Sequence, residues 1–387
     1  MNPFVQDPDW GWYIILYFFF GGLAAGCYFA ATLIELFGGA EDRPLARIGY
    51  RVAFPLILVC AVLLVVDLER PERFWHMVLQ SEVVEQALAE GWPGGGWGTM
   101  LHAFMLKWWS PMSIGAQALG VFGLCSFISF LGTFRTPRPV DHPAGLIGRA
   151  IGFGFKVIGC AVGFFIAAYT GALLSATNQP LWVATDWIAP LFLTSAASTS
   201  ISLLLLLGGR VSEASRERLE RADLWALGLE LFIFLVFLAS LGGLLPLALQ
   251  TREGQILVGA TLILGLVFPL WLHLSFKQPG RGRVTLAALS ALAGGFFFRY
   301  GIVRVAPALL RQFPHVTERD LQTPLYQTTF GIVLLAVTLI LALLIPYLLA
   351  RRWRLSAGQT LLAGVVSLLV LTGVGFYAAS AQPQLDP

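Results

Sequence analysis

Ten long apolar runs, separated by shorter polar stretches, organise the sequence: residues 11–36, 50–67, 111–133, 149–175, 187–208, 223–247, 255–275, 283–303, 327–350 and 357–378. Each approaches or exceeds the roughly 20 residues that a helix needs to cross a bilayer. Apolar positions follow one another without the alternation of a barrel strand, and a segment in lipid must satisfy its own backbone, so the runs predict helices. Pro55, Pro190, Pro246, Pro269 and Pro346 interrupt some of them, which a bundle tolerates where neighbours satisfy the freed carbonyls. The pairs Gly22-xxx-Gly26, Gly148-xxx-Gly152 and Gly159-xxx-Gly163 predict close helix crossings. The fold class is therefore all-α, an integral membrane protein of about ten transmembrane helices.

Composition strengthens that reading. Of 387 residues 57% are hydrophobic and only 12% charged, against roughly 25% charged in a soluble domain. A water-facing surface cannot be covered so sparsely. The net charge of +3 is small and its arginines lie between apolar runs, a pattern of membrane topology and not of nucleic-acid binding. The acidic start, Asp7 and Asp9, leads into a span too long for a leader's apolar region, so no cleaved leader is expected. Assigning lysine and arginine to alternate sides puts sixteen with the odd-numbered connections and seven with the even-numbered ones and the termini. The richer side should be cytoplasmic. Both termini and the long connection 68–110 then face outward, and that Trp- and Gly-rich loop is an expected docking surface.

Candidate chemistry is sparse. Cys27, Cys60, Cys125 and Cys160 each stand alone in an apolar run, without metal-ligand spacing. Of His76, His102, His142, His273 and His315 only His273 falls in a span, which argues against a bis-histidine haem. Neither haem nor metal is expected in this chain. Charges in or beside the spans are few and costly: Glu35, Asp67, Lys156, Glu230 and Arg299. Lys156 and Glu230 fall at similar depth and are expected to form an ion bridge. Counting about 1.5 Å per residue puts Asp67, Glu69, Tyr13, Tyr17, Tyr169 and Arg299 in one leaflet, with Arg299 a turn from the outer end of span eight. An apolar slot with such donors and acceptors suits a quinone head group and its proton exchange.

Several stretches also carry a resemblance. Asp67-Leu-Glu-Arg-Pro-Glu-Arg-Phe-Trp75, Ser110-Pro-Met-Ser113, Tyr169-Thr-Gly-Ala-Leu-Leu174, Pro180-Leu-Trp182, Pro190-Leu-Phe-Leu-Thr-Ser-Ala196 and Gly294-Gly-Phe-Phe-Phe-Arg-Tyr300, with Gly22-Leu-Ala-Ala-Gly26 in the first span, occur in order. Together they resemble the polysulfide reductase membrane-subunit, or NrfD-like, family over roughly residues 10–305. The resemblance implies two four-helix bundles, residues 1–182 and 183–306, with 307–387 as a two-helix addition. It implies quinone (menaquinone or ubiquinone) and partnership with a four-cluster iron–sulfur subunit and a molybdopterin or cytochrome subunit. Tyr17 falls where a relative has a quinone-contacting histidine, Tyr169 matches a quinone-contacting tyrosine, and Glu69 matches an acid proposed for proton conduction. The expected binding set is Tyr17, Tyr169, Asp67, His76 and Arg299, with Asp67 and Glu69 in the catalytic role.

The expectation is a multi-pass anchor of the cell inner (cytoplasmic) membrane, exchanging electrons and protons between the quinone pool and an iron–sulfur partner. The alternative is a structural or proton-translocating subunit with no quinone site of its own. A transporter would place its site at the midplane between inverted repeats, and the polar groups cluster elsewhere. Alkaline phosphatase fused after Pro387 should be active, and fused after Arg216 inactive. The opposite pattern overturns the orientation.

Overall fold

The computed structural model describes residues 9–90, 110–134, 143–177, 179–209, 211–274 and 281–313. The ninth and tenth runs, 327–350 and 357–378, the loop stretch 91–109 and both termini lie outside the described residues. Among the described residues there are helices and no strands, and eight of the helices are long and apolar enough to cross a membrane. They are α1 (Trp12–Phe37), α2 (Arg43–Asp67), α3 (Pro111–Gly132), α4 (Pro143–Ser175), α5 (Ile188–Leu207), α6 (Glu213–Ser240), α7 (Arg252–Leu274) and α8 (Arg281–Gln312). The chain is a multi-pass, all-α membrane protein.

Helix ends follow local chemistry. Ser110 caps α3 by accepting from the Ser113 amide, with Pro111 at the first helical position, where its missing N–H costs nothing. Ser212 and Thr251 cap α6 and α7 in the same way. Several helices outrun their apolar stretch. α2 begins at Arg43, not at residue 50, and α8 runs on to Gln312, past the apolar run that ends at 303. A charge ends an apolar run without ending a helix, provided the next turns still find protein to pack on. Val305, Ala306 and Leu309 do, being buried.

α1 is the centre of the molecule. It packs on α2, α4 and α5 and touches α8, and 83% of its central stretch is buried. α3 closes the first group of helices against α2 and α4; α5 carries α6 and α8 on its other side, and α7 lies along α8. Small residues make these crossings possible. A side chain at Gly26 would strike the Ala196 carbonyl and Ser200 on α5, one at Gly171 would strike Ala189, and Gly265 of α7 meets Gly294 of α8 backbone to backbone. Gly159 receives the Tyr28 ring. Gly152, expected at a crossing, borders open space instead. Between its end turns α7 is wound as a π-helix, Ile256–Val267.

The two faces of the bundle differ. On one, Arg218 of α6 pairs with Glu41 and with Asp42 (2.8 Å), and Ser215 donates to the Glu41 carbonyl (3.3 Å). These contacts tie the α1–α2 turn to the start of α6, on the face that carries most of the arginines. The other face holds the start of α1, the end of α2, the start of α3 and the end of α4. Gly26→Leu should lower stability in detergent by about 1–3 kcal/mol through overpacking of the α1–α5 crossing. Gly228→Ala, with nothing within 4 Å of its added carbon, should leave the thermal midpoint unchanged or raised. Equal midpoints for both variants would show that the crossing is not tight.

Candidate functional site

On the arginine-poor face, the end of α4 brings Tyr169 to the first turn of α3, where its hydroxyl donates to the Pro111 carbonyl (2.6 Å). Two residues on, the Ser113 hydroxyl is buried and has no partner among the described residues, a condition that native interiors rarely tolerate. Tyr17 of α1 is buried, lies within electrostatic reach of Tyr169, and accepts at its backbone carbonyl from the Cys60 thiol of α2 (3.8 Å). Asp67 ends α2 two turns beyond Cys60 on the same side of that helix and repels the neighbouring Glu69. Glu69 is exposed and has a φ of 55°, a left-handed conformation costing an L-residue roughly 1–2 kcal/mol. The turn is held by the Glu69 amide on the Val66 carbonyl (3.3 Å) and the Arg70 amide on the Leu68 carbonyl (2.5 Å).

Two expected members of the set lie elsewhere. His76 is in the connection after α2, tilted against Trp75 with ring centroids 3.9 Å apart, and its Nε2 is 3.9 Å from Glu85. Arg299 is not a turn from the end of its helix: α8 continues for more than three turns beyond it. It is 1% exposed and sits mid-helix, against Gly22 of α1 and within 5.4 Å of the Phe192 and Phe298 rings. Nη1 donates to Ser195 Oγ of α5 (2.5 Å) and to the Gly295 carbonyl (3.1 Å).

The expected Lys156–Glu230 bridge is absent. Lys156 pairs with Glu35 of α1 (2.6 Å), and Tyr50 of α2 donates to the same carboxylate (3.0 Å). The reason is topological: α4, which carries Lys156, and α6, which carries Glu230, each pack on α5 and have no extensive contact with each other. Glu230, 4% exposed, instead accepts from Ser198 and Ser195 and lies within reach of the Arg299 charge. Two turns away on α6, Asp223 is fully buried and takes Ser202 Oγ at 2.9 Å and His273 Nε2 of α7 at 3.0 Å.

The family pattern described as "Polysulphide reductase, NrfD" matches residues 3–311. The chain belongs to the NrfD polysulphide reductase family. A polysulfide reductase polypeptide of Wolinella succinogenes is 26% identical over 208 residues, which make up 51% of this sequence and 58% of that protein. A selenate reductase polypeptide of Mesobacillus selenatarsenatis is 28% identical over 82 residues, 21% of this sequence and 19% of that protein. The matches thus span less than two thirds of these relatives' lengths. Both relatives are named as single components of reductases.

Sequence reasoning missed Ser113 and the Asp223–His273 pair. Ser113 stands inside the Ser110–Ser113 motif, which was the available signal. Asp223 and Glu230, seven apart on α6, and Ser195, Ser198 and Ser202, three and four apart on α5, share faces at helical spacing, but nothing local joins the two helices. Among the described residues, no three of His, Cys, Asp and Glu gather as a metal site would require. Arg299→Met should cost about 3–5 kcal/mol, because Glu230 is left buried without its cation. The double variant Arg299→Met/Glu230→Gln should recover part of that loss in detergent unfolding. Strict additivity of the two single losses would show that the charges are not coupled.

Proposed function

We propose that this chain is the quinone-reactive membrane anchor of a respiratory reductase complex, with its site between α1, α2, α3 and α4 on the arginine-poor face. The observation that carries the reading is the Tyr169 hydroxyl seated on the first turn of α3, with Tyr17 of α1 within electrostatic reach of it, in a helix start that also holds the buried, unpartnered Ser113 hydroxyl. Membership in a family whose named relatives are components of reductases supports it. A quinone head group needs hydroxyl partners for two oxygens in an apolar slot, and these residues fit that need. Quinone, when bound, supplies two-electron, two-proton chemistry.

Each residue then has a definite task. Tyr17, Tyr169 and Ser113 orient the head-group oxygens by hydrogen bonds worth about 0.5–1.5 kcal/mol each. Asp67 and Glu69 hold and move protons at their carboxylate oxygens where α2 leaves the membrane. The connection after α2, with Arg70, Arg73 and His76, faces an extrinsic iron–sulfur subunit that takes or gives the electrons. On this reading the arginine-poor face is periplasmic, following the sixteen-to-seven basic asymmetry. One feature favours a second reading, a subunit serving beside a quinone-active sibling: Tyr17 stands where the family resemblance would put a histidine.

The test uses membranes containing the whole complex. Tyr169→Phe should weaken quinone-site inhibitor binding several-fold, the size of one hydrogen bond. Asp67→Asn keeps the shape, removes a titrating group and should depress quinol-coupled turnover more than affinity. Wild-type turnover and inhibitor affinity in both variants would sink the quinone site and favour the second reading.

A further inference from the structure

The arginines of the arginine-rich face differ in what answers them. Arg216 reaches Glu220 (2.8 Å), Arg218 reaches Asp42 (2.8 Å), Arg221 reaches Glu217 (3.6 Å) and Arg281 reaches Glu213 (3.3 Å). Arg43, Arg47 and Arg51 are exposed on α2 and meet no carboxylate among the described residues. They stand four apart in the sequence, so they form one stripe down the helix, with successive Cβ atoms roughly 6 Å apart.

Arg51 is held in place. Its Nε donates to Thr133 Oγ1 (3.0 Å) and its Nη2 to the Thr133 carbonyl (3.3 Å), just past the end of α3. Thr133 Oγ1 in turn donates to the Phe130 carbonyl (2.8 Å). The guanidinium carbon lies 4.7 Å from the centre of the Phe134 ring. A guanidinium has five N–H groups, so most of its donors have no partner among the described residues.

The apolar run 50–67 is about 27 Å long as a helix, close to the roughly 30 Å of a bilayer's hydrocarbon core. Arg51 therefore sits at the hydrocarbon boundary, and Arg47 and Arg43 lie one and two turns farther out, among the lipid head groups. Inward of Arg51 the seam between α2 and α3 is lined by exposed apolar side chains, Leu58 and Val62 on α2 and Leu124, Phe127 and Leu131 on α3. Leu58 and Val62 follow Arg51 at helical spacing, on its side of α2. Phe54 floors the seam, its ring against Phe127 and Phe130 with centroids 5.1 and 5.2 Å away.

We propose that Arg47 and Arg51 bind the phosphate of one anionic phospholipid, whose acyl chains lie along the α2–α3 seam. Charge complementarity selects this occupant. A planar guanidinium matches two phosphate oxygens at once, and Arg51 is already oriented by Thr133 and Phe134, so little side-chain freedom is lost on binding. A cation at the edge of hydrocarbon without a counter-ion is costly, and basic pockets between membrane helices at a head-group level suit anionic lipids. A zwitterionic lipid would bring its own cation to the two arginines. The apolar seam below continues where the acyl chains must go. Bound there, the lipid clamps the start of α2 to the end of α3, two helices whose central stretches are only 28% buried by protein. This site is separate from the quinone reading and does not depend on it.

The test uses the full chain purified in detergent, with native mass spectrometry and thermal unfolding as readouts. Wild type should retain one phosphatidylglycerol, and added phosphatidylglycerol should raise the thermal midpoint. Phosphatidylcholine or inorganic phosphate at the same concentration should leave it unchanged. Arg47→Gln/Arg51→Gln should weaken phosphatidylglycerol binding about tenfold or more. Arg221→Gln/Arg281→Gln removes the same charge from the same face and should keep wild-type affinity within about twofold. Arg47→Gln leaves the Arg51–Thr133 contact in place and should weaken binding several-fold, which decides the matter where the double variant does not fold. Equal affinity in the two double variants overturns the site, as does an equal rise with phosphatidylcholine or inorganic phosphate. In membranes holding the whole complex, a photo-reactive amino acid at Leu131 should capture lipid. Capture of a protein subunit there overturns the proposal in favour of a protein interface.

Discussion

A guanidinium held almost wholly out of contact with solvent, halfway along a membrane helix, dictates much of this structure. Arg299 cannot lose its charge cheaply, and an unanswered cation in lipid costs several kcal/mol by any scale. It is answered from three directions: by Ser195 and Glu230, by the carbonyl of Gly295 on its own helix, and by the faces of Phe192 and Phe298. Each answer fixes a neighbour. α5 must present serines at that depth, α6 must present a carboxylate, and α1 must offer Gly22 so that the head group has room. The crossing of α1 over α5 and α8 is in this sense built around one side chain.

The remaining charges obey the same rule locally. Glu35 gathers Lys156 and Tyr50 in the first group of helices, while Asp223 gathers His273 and Ser202 in the second. Arg218 gathers Glu41 and Asp42 where the two groups meet at the arginine-rich face. The low charge content of the chain is therefore compatible with a well-specified fold. Each of these three ionic clusters joins elements far apart in sequence, and packing of small residues against large ones supplies the rest of the register.

The spans were legible in the sequence because lipid permits only continuous apolar helices, and eight of the ten runs fall on helices among the described residues. Helix rise converts residue number into depth, which put Tyr17 and Tyr169 at one level, and the structure brings those two within electrostatic reach. Depth alone, however, says nothing about which helices touch. Lys156 and Glu230 fall at similar depth by residue count, which suggests a pair, yet their helices pack on α5 and not extensively on each other. Arg299 reads as lying near the membrane edge because Arg304 ends the apolar run while the helix continues. His273 looks isolated in the sequence because Asp223, its partner, lies fifty residues away. Ser198 and Ser202 were invisible for a different reason: in a membrane helix, small hydroxyl residues are the ordinary material of close packing.

The burial of α1 has a consequence for how the molecule is made. Most of its surface is covered by α2, α4, α5 and α8, and α5 and α8 follow it by well over a hundred residues in the chain. During synthesis α1 therefore enters the bilayer long before the helices that will enclose it exist. Its glycine-lined side, Gly22 and Gly26, must face lipid or another protein until Ala196, Ser200 and Arg299 arrive. A helix made well before its neighbours is thus completed only when they arrive, and a lesion in α8 would leave α1 bare along that seam. Quality control of this subunit would then sense a defect near residue 299 through exposure of a segment near residue 22.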